Sequence, residues 1–145
     1  MRFVAGAVGL LMLLGGPAVL ADSPNDILVI SNRSVSVDKI SLEDLRDVFL
    51  KKRKDWNKGG RAVPINAKPD SSLREKFRDR VINMTASEEE RYWQDRKIKF
   101  GTKKPADIGN RLKIVFKVKG AVSYVFRSEY KKGVVKVLLE IPAKP

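Results

Sequence analysis

Apolar residues recur along the chain at the two spacings that buried strands and amphipathic helices require. Residues 27–31 form a compact, β-branched apolar run, which predicts a strand buried on both faces of a sheet. Apolar positions three or four residues apart then predict helices at 42–50, 72–83 and 87–98. Residues 62–66 predict a second, short strand, which Pro64 should keep at a sheet edge or near its own terminus.

The C-terminal third of the chain predicts one more helix and two more strands. The pattern from Pro105 to Phe116 indicates a helix that Gly120 should end. Residues 121–126 and 134–139 are rich in valine, which favours strands. The order of strand, helix, strand, three helices, strand and strand predicts an α/β fold with a mixed β-sheet covered by helices.

The third predicted helix carries its own start signal and two aromatic residues. Ser87 and Glu90 have the spacing of caps at its N-terminus. We interpret the acidic run 88–90 as electrostatic stabilisation of that terminus and not as a metal site. Tyr92 and Trp93 are interpreted as core aromatics, because such side chains are usually buried.

The N-terminus has the layout of a secretory signal peptide. Met1 and Arg2 precede an uncharged stretch, residues 3–21, that ends in small residues up to Ala21. Cleavage after Ala21 would leave residues 22–145, a length suited to one domain. The alternative is an uncleaved membrane anchor, although a Gly-Gly-Pro break shortens the apolar core of the stretch.

Composition narrows the possible functions. The chain has 30 basic and 17 acidic residues and a formal net charge of +13, which removal of Arg2 lowers to +12 and which favours anionic partners. It contains no cysteine and no histidine, which excludes disulfides, thiolate metal sites and nucleophile–histidine pairs. Nothing fixes the separation of the scattered carboxylates, so we assign no catalytic residue, metal or cofactor and expect no enzyme activity.

Several segments, taken in order, resemble one family of binding proteins. The segments are SLEDLRDVFL at 41–50, DWNKG at 55–59, SSLREKF at 71–77, Trp93, Phe100 with Gly101, and KGAVSYV at 119–125. They are similar to the phosphate-type substrate-binding proteins of ABC transporters. The resemblance spans residues 27–141 and implies a type-2 periplasmic-binding-protein fold, in which two α/β lobes close on a ligand. This PBP-like chain would supply a single lobe.

The resemblance also implies where an anion would bind. Phosphate-binding members use an arginine several residues before a Ser-Gly-Thr turn that starts a helix. Here Ser71 matches the serine, Ser72 replaces the glycine and Leu73 replaces the threonine, while Ala67 falls about where the arginine belongs. The sequence therefore keeps a weakened version of the family's anion site.

Four residues are the candidate ligand-binding set: Lys68, Ser71, Ser72 and Arg74. Hydroxyls and free N–H groups at a helix start favour an anion. Lys68 or Arg74 would have to stand in for the missing arginine, and lysine offers only a point charge. The alternative is that Asp70 or Ser71 only caps the helix.

The leading hypothesis is therefore a periplasmic protein that binds phosphate or a similar oxyanion, with a homodimer or an envelope or transporter partner supplying the second wall. One alternative is a ligand-free module that binds another envelope protein. A second alternative is a basic polyanion-binding protein using residues 51–54, Arg74, Arg78, Lys103 and Lys104. We expect no nucleic-acid partner and no stable membrane insertion after cleavage.

Overall fold

The computed structural model describes residues 22–143, so the predicted signal peptide lies outside the described residues. The strands are β1 (Ile27–Ser31), β2 (Val63–Asn66), β3 (Ala106–Asp107), β4 (Ala121–Phe126) and β5 (Lys136–Ile141). The α-helices are α1 (Leu42–Phe49), α2 (Ser72–Phe77), α3 (Ala86–Phe100) and α4 (Arg111–Lys117). A π-turn (Arg78–Ile82) continues α2, and a 3-10 turn (Arg127–Glu129) follows β4. Between residues 22 and 143, no helix has the length and apolar character needed to cross a bilayer.

The five strands form one mixed sheet in the order β3-β2-β4-β1-β5. Strand β1 runs antiparallel to both β4 and β5, whereas β2 runs parallel to β3 and β4. All five residues of β1 are buried, as the apolar run predicted. Pro64 lies near the start of β2, before the two residues that pair with β3, so it removes no hydrogen bond from that pairing.

Alternating side chains of the sheet pack into two hydrophobic layers. On one face, Val29 and Tyr124 contact the apolar sides of α1, α2 and α3. On the other face, Leu28 and Val125 contact α4 through Val115. This is the arrangement that the predicted α/β fold required, because successive strand residues point to opposite faces.

Aromatic side chains hold the first layer together. The rings of Phe77 and Tyr124 are stacked with their centroids 3.6 Å apart, and Phe49 meets Phe77 edge-on at 4.8 Å. Trp93 is buried, and the half-buried Tyr92 donates its hydroxyl to the carbonyl of Leu50 at 2.6 Å. The interpretation of Trp93 as a core residue is confirmed.

The start of α3 differs from its prediction. Thr85 is the N-cap, and it exchanges hydrogen bonds with Glu88 in a capping box, so Ser87 and Glu90 do not cap this helix. Both pairs have the same spacing, and only the backbone decides between them. Glu88 accepts a hydrogen bond from the N–H of Thr85 at 2.9 Å, whereas Glu89 is buried and forms ion pairs with two arginines.

The segment before α4 also differs from its prediction. Residues 106–107 form β3, and the helix begins only at Arg111, with Asn110 as its cap. Phe116 is 55% exposed, although its spacing suggested a core position. The last strand spans Lys136–Ile141, two residues later than predicted, because Val134 lies in the turn before it.

Candidate oxyanion-binding site

The candidate site lies where the chain leaves the C-terminal end of β2 and enters α2. Tyr124 fixes this point, since its hydroxyl donates to Asn66 Oδ1 at 2.8 Å and accepts from the N–H of Ala67 at 3.1 Å. Burial raises the pKa of Tyr124 above its ordinary value, so the hydroxyl keeps its proton. The loop that follows therefore starts from a rigid position in the core.

Ser71 is the N-cap of α2. Its Oγ accepts from the N–H of Arg74 at 3.2 Å and donates to the carbonyl of Lys68 at 2.7 Å. Because its one proton is already engaged, this hydroxyl shapes the turn and does not point a donor at solvent.

Lys68, Ser71 and Ser72 line one open depression of about 300 Å³. Lys68 and Ser72 are exposed, and Lys68 passes beside Gly109 from the loop before α4. Within residues 22–143, Lys68 has no acidic side chain within ion-pair distance. The structure therefore brings three of the four sequence-predicted residues together at one surface.

Arg74, the fourth predicted residue, lies below this surface. It is 5% exposed and does not line the depression. Its Nη1 donates to the carbonyl of Ala67 and to Asp107 Oδ1, each at 2.8 Å, and its Nη2 lies 3.4 Å from Glu89 Oε1. Arg74 thus ties the loop, β3 and α3 together from beneath.

Arg111 lines the depression and was not among the predicted site residues. Its Nε donates to the carbonyl of Tyr124 at 2.9 Å, and its Nη1 donates to the carbonyls of Ile108 at 3.1 Å and Gly109 at 2.8 Å. These three bonds hold a guanidinium that is 7% exposed. The one sequence signal for Arg111 was its position directly after Asn110, a residue type that often caps helices. Only the fold shows that Arg111 lies near Ser72.

The remaining guanidinium nitrogen of Arg111, Nη2, faces a carboxylate at the rim of the depression. Nη2 lies 3.6 Å from Glu129 Oε2, and Glu129 also accepts from the N–H of Phe126 at 3.2 Å. Asp70 adds a second carboxylate to the lining. The depression thus combines Arg111 and Lys68 with two acids, and an anion would have to replace Glu129 as the partner of Nη2.

No protein-family model matches the chain, and no curated protein matches it. Solved structures do match. A phosphate ABC transporter substrate-binding protein of Clostridium perfringens, solved with bound phosphate, superposes with a TM-score of 0.59 at 17% identity. An ABC-type phosphate transport receptor of Vibrio cholerae gives a TM-score of 0.60 at 12% identity.

The chain has the fold of one lobe of such a receptor. The two matches cover 81% of this chain but only 46% and 47% of the receptors. PstS of Borrelia burgdorferi is similar to the same extent, with a TM-score of 0.59 at 12% identity, covering 83% of this chain and 54% of its own. The predicted fold is confirmed, and this single-lobe chain spans about half the length of the transport receptors that it matches.

Proposed function

We propose that the protein is an exported, periplasmic binding protein that takes phosphate or a similar tetrahedral oxyanion at the depression between α2 and α4. The observation that carries the proposal is the anchored guanidinium of Arg111, which shares this surface with Lys68 and Ser72. The basic balance of the chain and its receptor-lobe fold support the same function.

Each residue of the depression has a distinct part in this proposal. Arg111 Nη2 donates a charge-assisted hydrogen bond, Lys68 adds a mobile positive charge, and the exposed hydroxyl of Ser72 is a further donor. Ser71 keeps the turn closed, and Arg74 positions the loop through the carbonyl of Ala67 without touching the ligand.

Glu129 sets a condition on binding. Its side chain is 47% exposed, so it can turn towards water when an oxyanion takes its place at Arg111. That exchange replaces one ion pair with another and limits the gain in affinity.

The open side of the depression sets a second condition. A single lobe leaves one side of the ligand in water, so the isolated chain should bind weakly. A second copy or an envelope partner, such as a transporter, would supply the missing wall. In this role the protein binds and does not catalyse.

The test is calorimetric titration of the purified protein with inorganic phosphate, sulfate and molybdate at low ionic strength. The double variant Lys68→Gln, Ser72→Ala should weaken binding by about tenfold, since it removes a charge-assisted contact and a hydroxyl. The matched control Lys97→Gln, Ser87→Ala removes the same groups from exposed positions of α3 and should leave binding unchanged.

The second candidate is a module that keeps the fold and binds another envelope protein without a small ligand. It is favoured by the contact between Arg111 and Glu129, because this carboxylate already gives the guanidinium an anionic partner without any ligand. A folded protein that shows no saturable heat with any of the three anions at millimolar concentration would contradict the oxyanion proposal and support this module.

A further inference from the structure

A second depression, far from the candidate site, is lined by cations. It has a volume of about 330 Å³ and lies between the loop after α1, the start of β2 and the end of α3. Four basic side chains and one aromatic ring contribute to it: Lys51, Arg53, Lys54, Arg61 and Phe100. We call this surface the basic depression.

Three of the four cations in the basic depression have no acidic partner among residues 22–143. No carboxylate is part of its lining. Arg53 pairs with Asp44 at 3.4 Å, but Lys51, Lys54 and Arg61 have no acidic partner within ion-pair distance among residues 22–143. Burial, together with the nearby charges of Arg61 and Lys54, lowers the pKa of Lys51 below its ordinary value. An anion in the depression would relieve this repulsion.

The loop that carries these cations is tied to the rest of the fold by hydrogen bonds of its backbone and of Trp56. The N–H of Ala62 donates to the carbonyl of Lys54 at 2.8 Å, which joins the two sides of the loop. Trp56, buried within the loop, donates its indole N–H to the carbonyl of Gly120 at 3.0 Å. Because the loop backbone is fastened to the sheet, a ligand would have to order only the side chains of these cations.

The basic depression and the candidate site lie at opposite ends of β2. Ala62 precedes this strand and lines the basic depression, whereas Lys68 follows it and lines the candidate site. At the rise of an extended chain, the two residues are about 20 Å apart. One small anion cannot contact both surfaces.

We propose that the basic depression is a second binding site, whose ligand is a multivalent anion carrying several phosphate groups. Three unpaired cations match more negative charge than one phosphate brings, and both lysine and arginine bind phosphate oxygens well. Phe100, which is 67% exposed, adds an apolar contact at the rim. The ligand is either a free oligophosphate or a phosphorylated lipid head group.

Two of the arginines that the polyanion alternative used are already engaged within the protein. Arg74 and Arg78 both pair with Glu89, so neither is available to a ligand, contrary to what the polyanion alternative assumed. At the basic depression, by contrast, Lys51, Lys54 and Arg61 line one surface without an acidic partner among residues 22–143.

The test titrates the purified protein with inorganic tripolyphosphate in a calorimeter. We expect saturable binding that the double variant Lys54→Gln, Arg61→Gln weakens at least tenfold. Both side chains are exposed, so the variant should fold, and its thermal melt checks this. The control Lys131→Gln, Lys132→Gln removes two exposed charges from the loop before the edge strand β5 and should change affinity less than threefold.

A second arm identifies the source of the phosphate groups. Cosedimentation with vesicles that contain phosphatidylinositol bisphosphate, lost in Lys54→Gln, Arg61→Gln, would assign the site to a lipid head group. Tripolyphosphate binding without cosedimentation would assign it to a free oligophosphate. The site is refuted if neither probe binds, or if both double variants lose affinity equally.

This site does not depend on the oxyanion proposal. The candidate-site variant Lys68→Gln, Ser72→Ala should bind tripolyphosphate as the unmodified protein does. A loss of tripolyphosphate binding in that variant would place the ligand at the candidate site and overturn the second site.

Discussion

Two arginines beneath the start of α3 share one carboxylate, that of Glu89. Arg78 Nε lies 3.0 Å from Glu89 Oε1, and Arg74 Nη2 lies 3.4 Å from the same oxygen. All three side chains are largely buried, with exposed fractions of 13% or less. At the residue scale, this cluster supports the loop of the candidate site, because Arg74 also holds Ala67.

Removing that carboxylate should be costly. Glu89→Ala leaves the largely buried Arg78 without its carboxylate partner and Arg74 with Asp107 alone, so we expect a loss of about 3 kcal/mol of unfolding free energy. Urea denaturation followed by circular dichroism measures it. The neighbouring Glu90→Ala, at an exposed position, should stay within about 0.5 kcal/mol of the parent. Equal effects of the two substitutions would show that Glu89 is not the support described here.

At the scale of elements, the tryptophan loop and the start of β4 depend on a glycine. Gly120 has a φ of +78°, and a Cβ at this position would lie 2.1 Å from the carbonyl oxygen of Arg61. Only glycine allows this close approach, which also brings the Gly120 carbonyl to the indole of Trp56. The same contact fixes one wall of the basic depression.

Gly120→Ala should therefore destabilise the fold by clearly more than Gly133→Ala. Gly133 has a similar φ of +88°, but a Cβ added there would meet no atom within 4 Å, so its substitution reports only the backbone cost of about 1 kcal/mol. Thermal unfolding of both variants separates the two effects. Similar losses of stability would mean that the backbone at Arg61 can move away from the added Cβ with little loss of unfolding free energy.

Local patterns predicted most elements but not all of their boundaries. Residues 27–31 and 121–126 were identified correctly because a buried strand needs a continuous apolar run. The two-residue strand β3 was missed, since its pairing with Ile65 and Asn66 lies far away in sequence. The cap of α3 was misplaced because two polar pairs have the same spacing.

At the scale of the whole molecule, the residues of the candidate site could likewise be predicted only where they lie close together in the sequence. Lys68, Ser71 and Ser72 could be grouped from sequence because one turn contains them. Arg111 could not, because only the sheet order brings the start of α4 to the start of α2. The burial of Arg74 depends on Asp107, which is 33 residues away, so the sequence alone left Arg74 as a candidate ligand-binding residue.

As a whole, the molecule is one lobe where its structural neighbours have about twice the length. Its candidate site is therefore open to water on one side, and the account predicts weak binding by the isolated chain. Affinity for phosphate should rise when a second copy or an envelope partner covers the depression. Titration over a range of protein concentrations tests the contribution of a second copy, since self-association would tighten the apparent affinity.

The most direct test of the central claim is an NMR titration of the isotope-labelled protein with inorganic phosphate. The account predicts saturable shifts of the backbone amides of Ser72, Leu73 and Arg111, with little change at Lys54 and Arg61 at low phosphate concentration. No saturable shift at millimolar phosphate, or shifts confined to residues outside this depression, would contradict it.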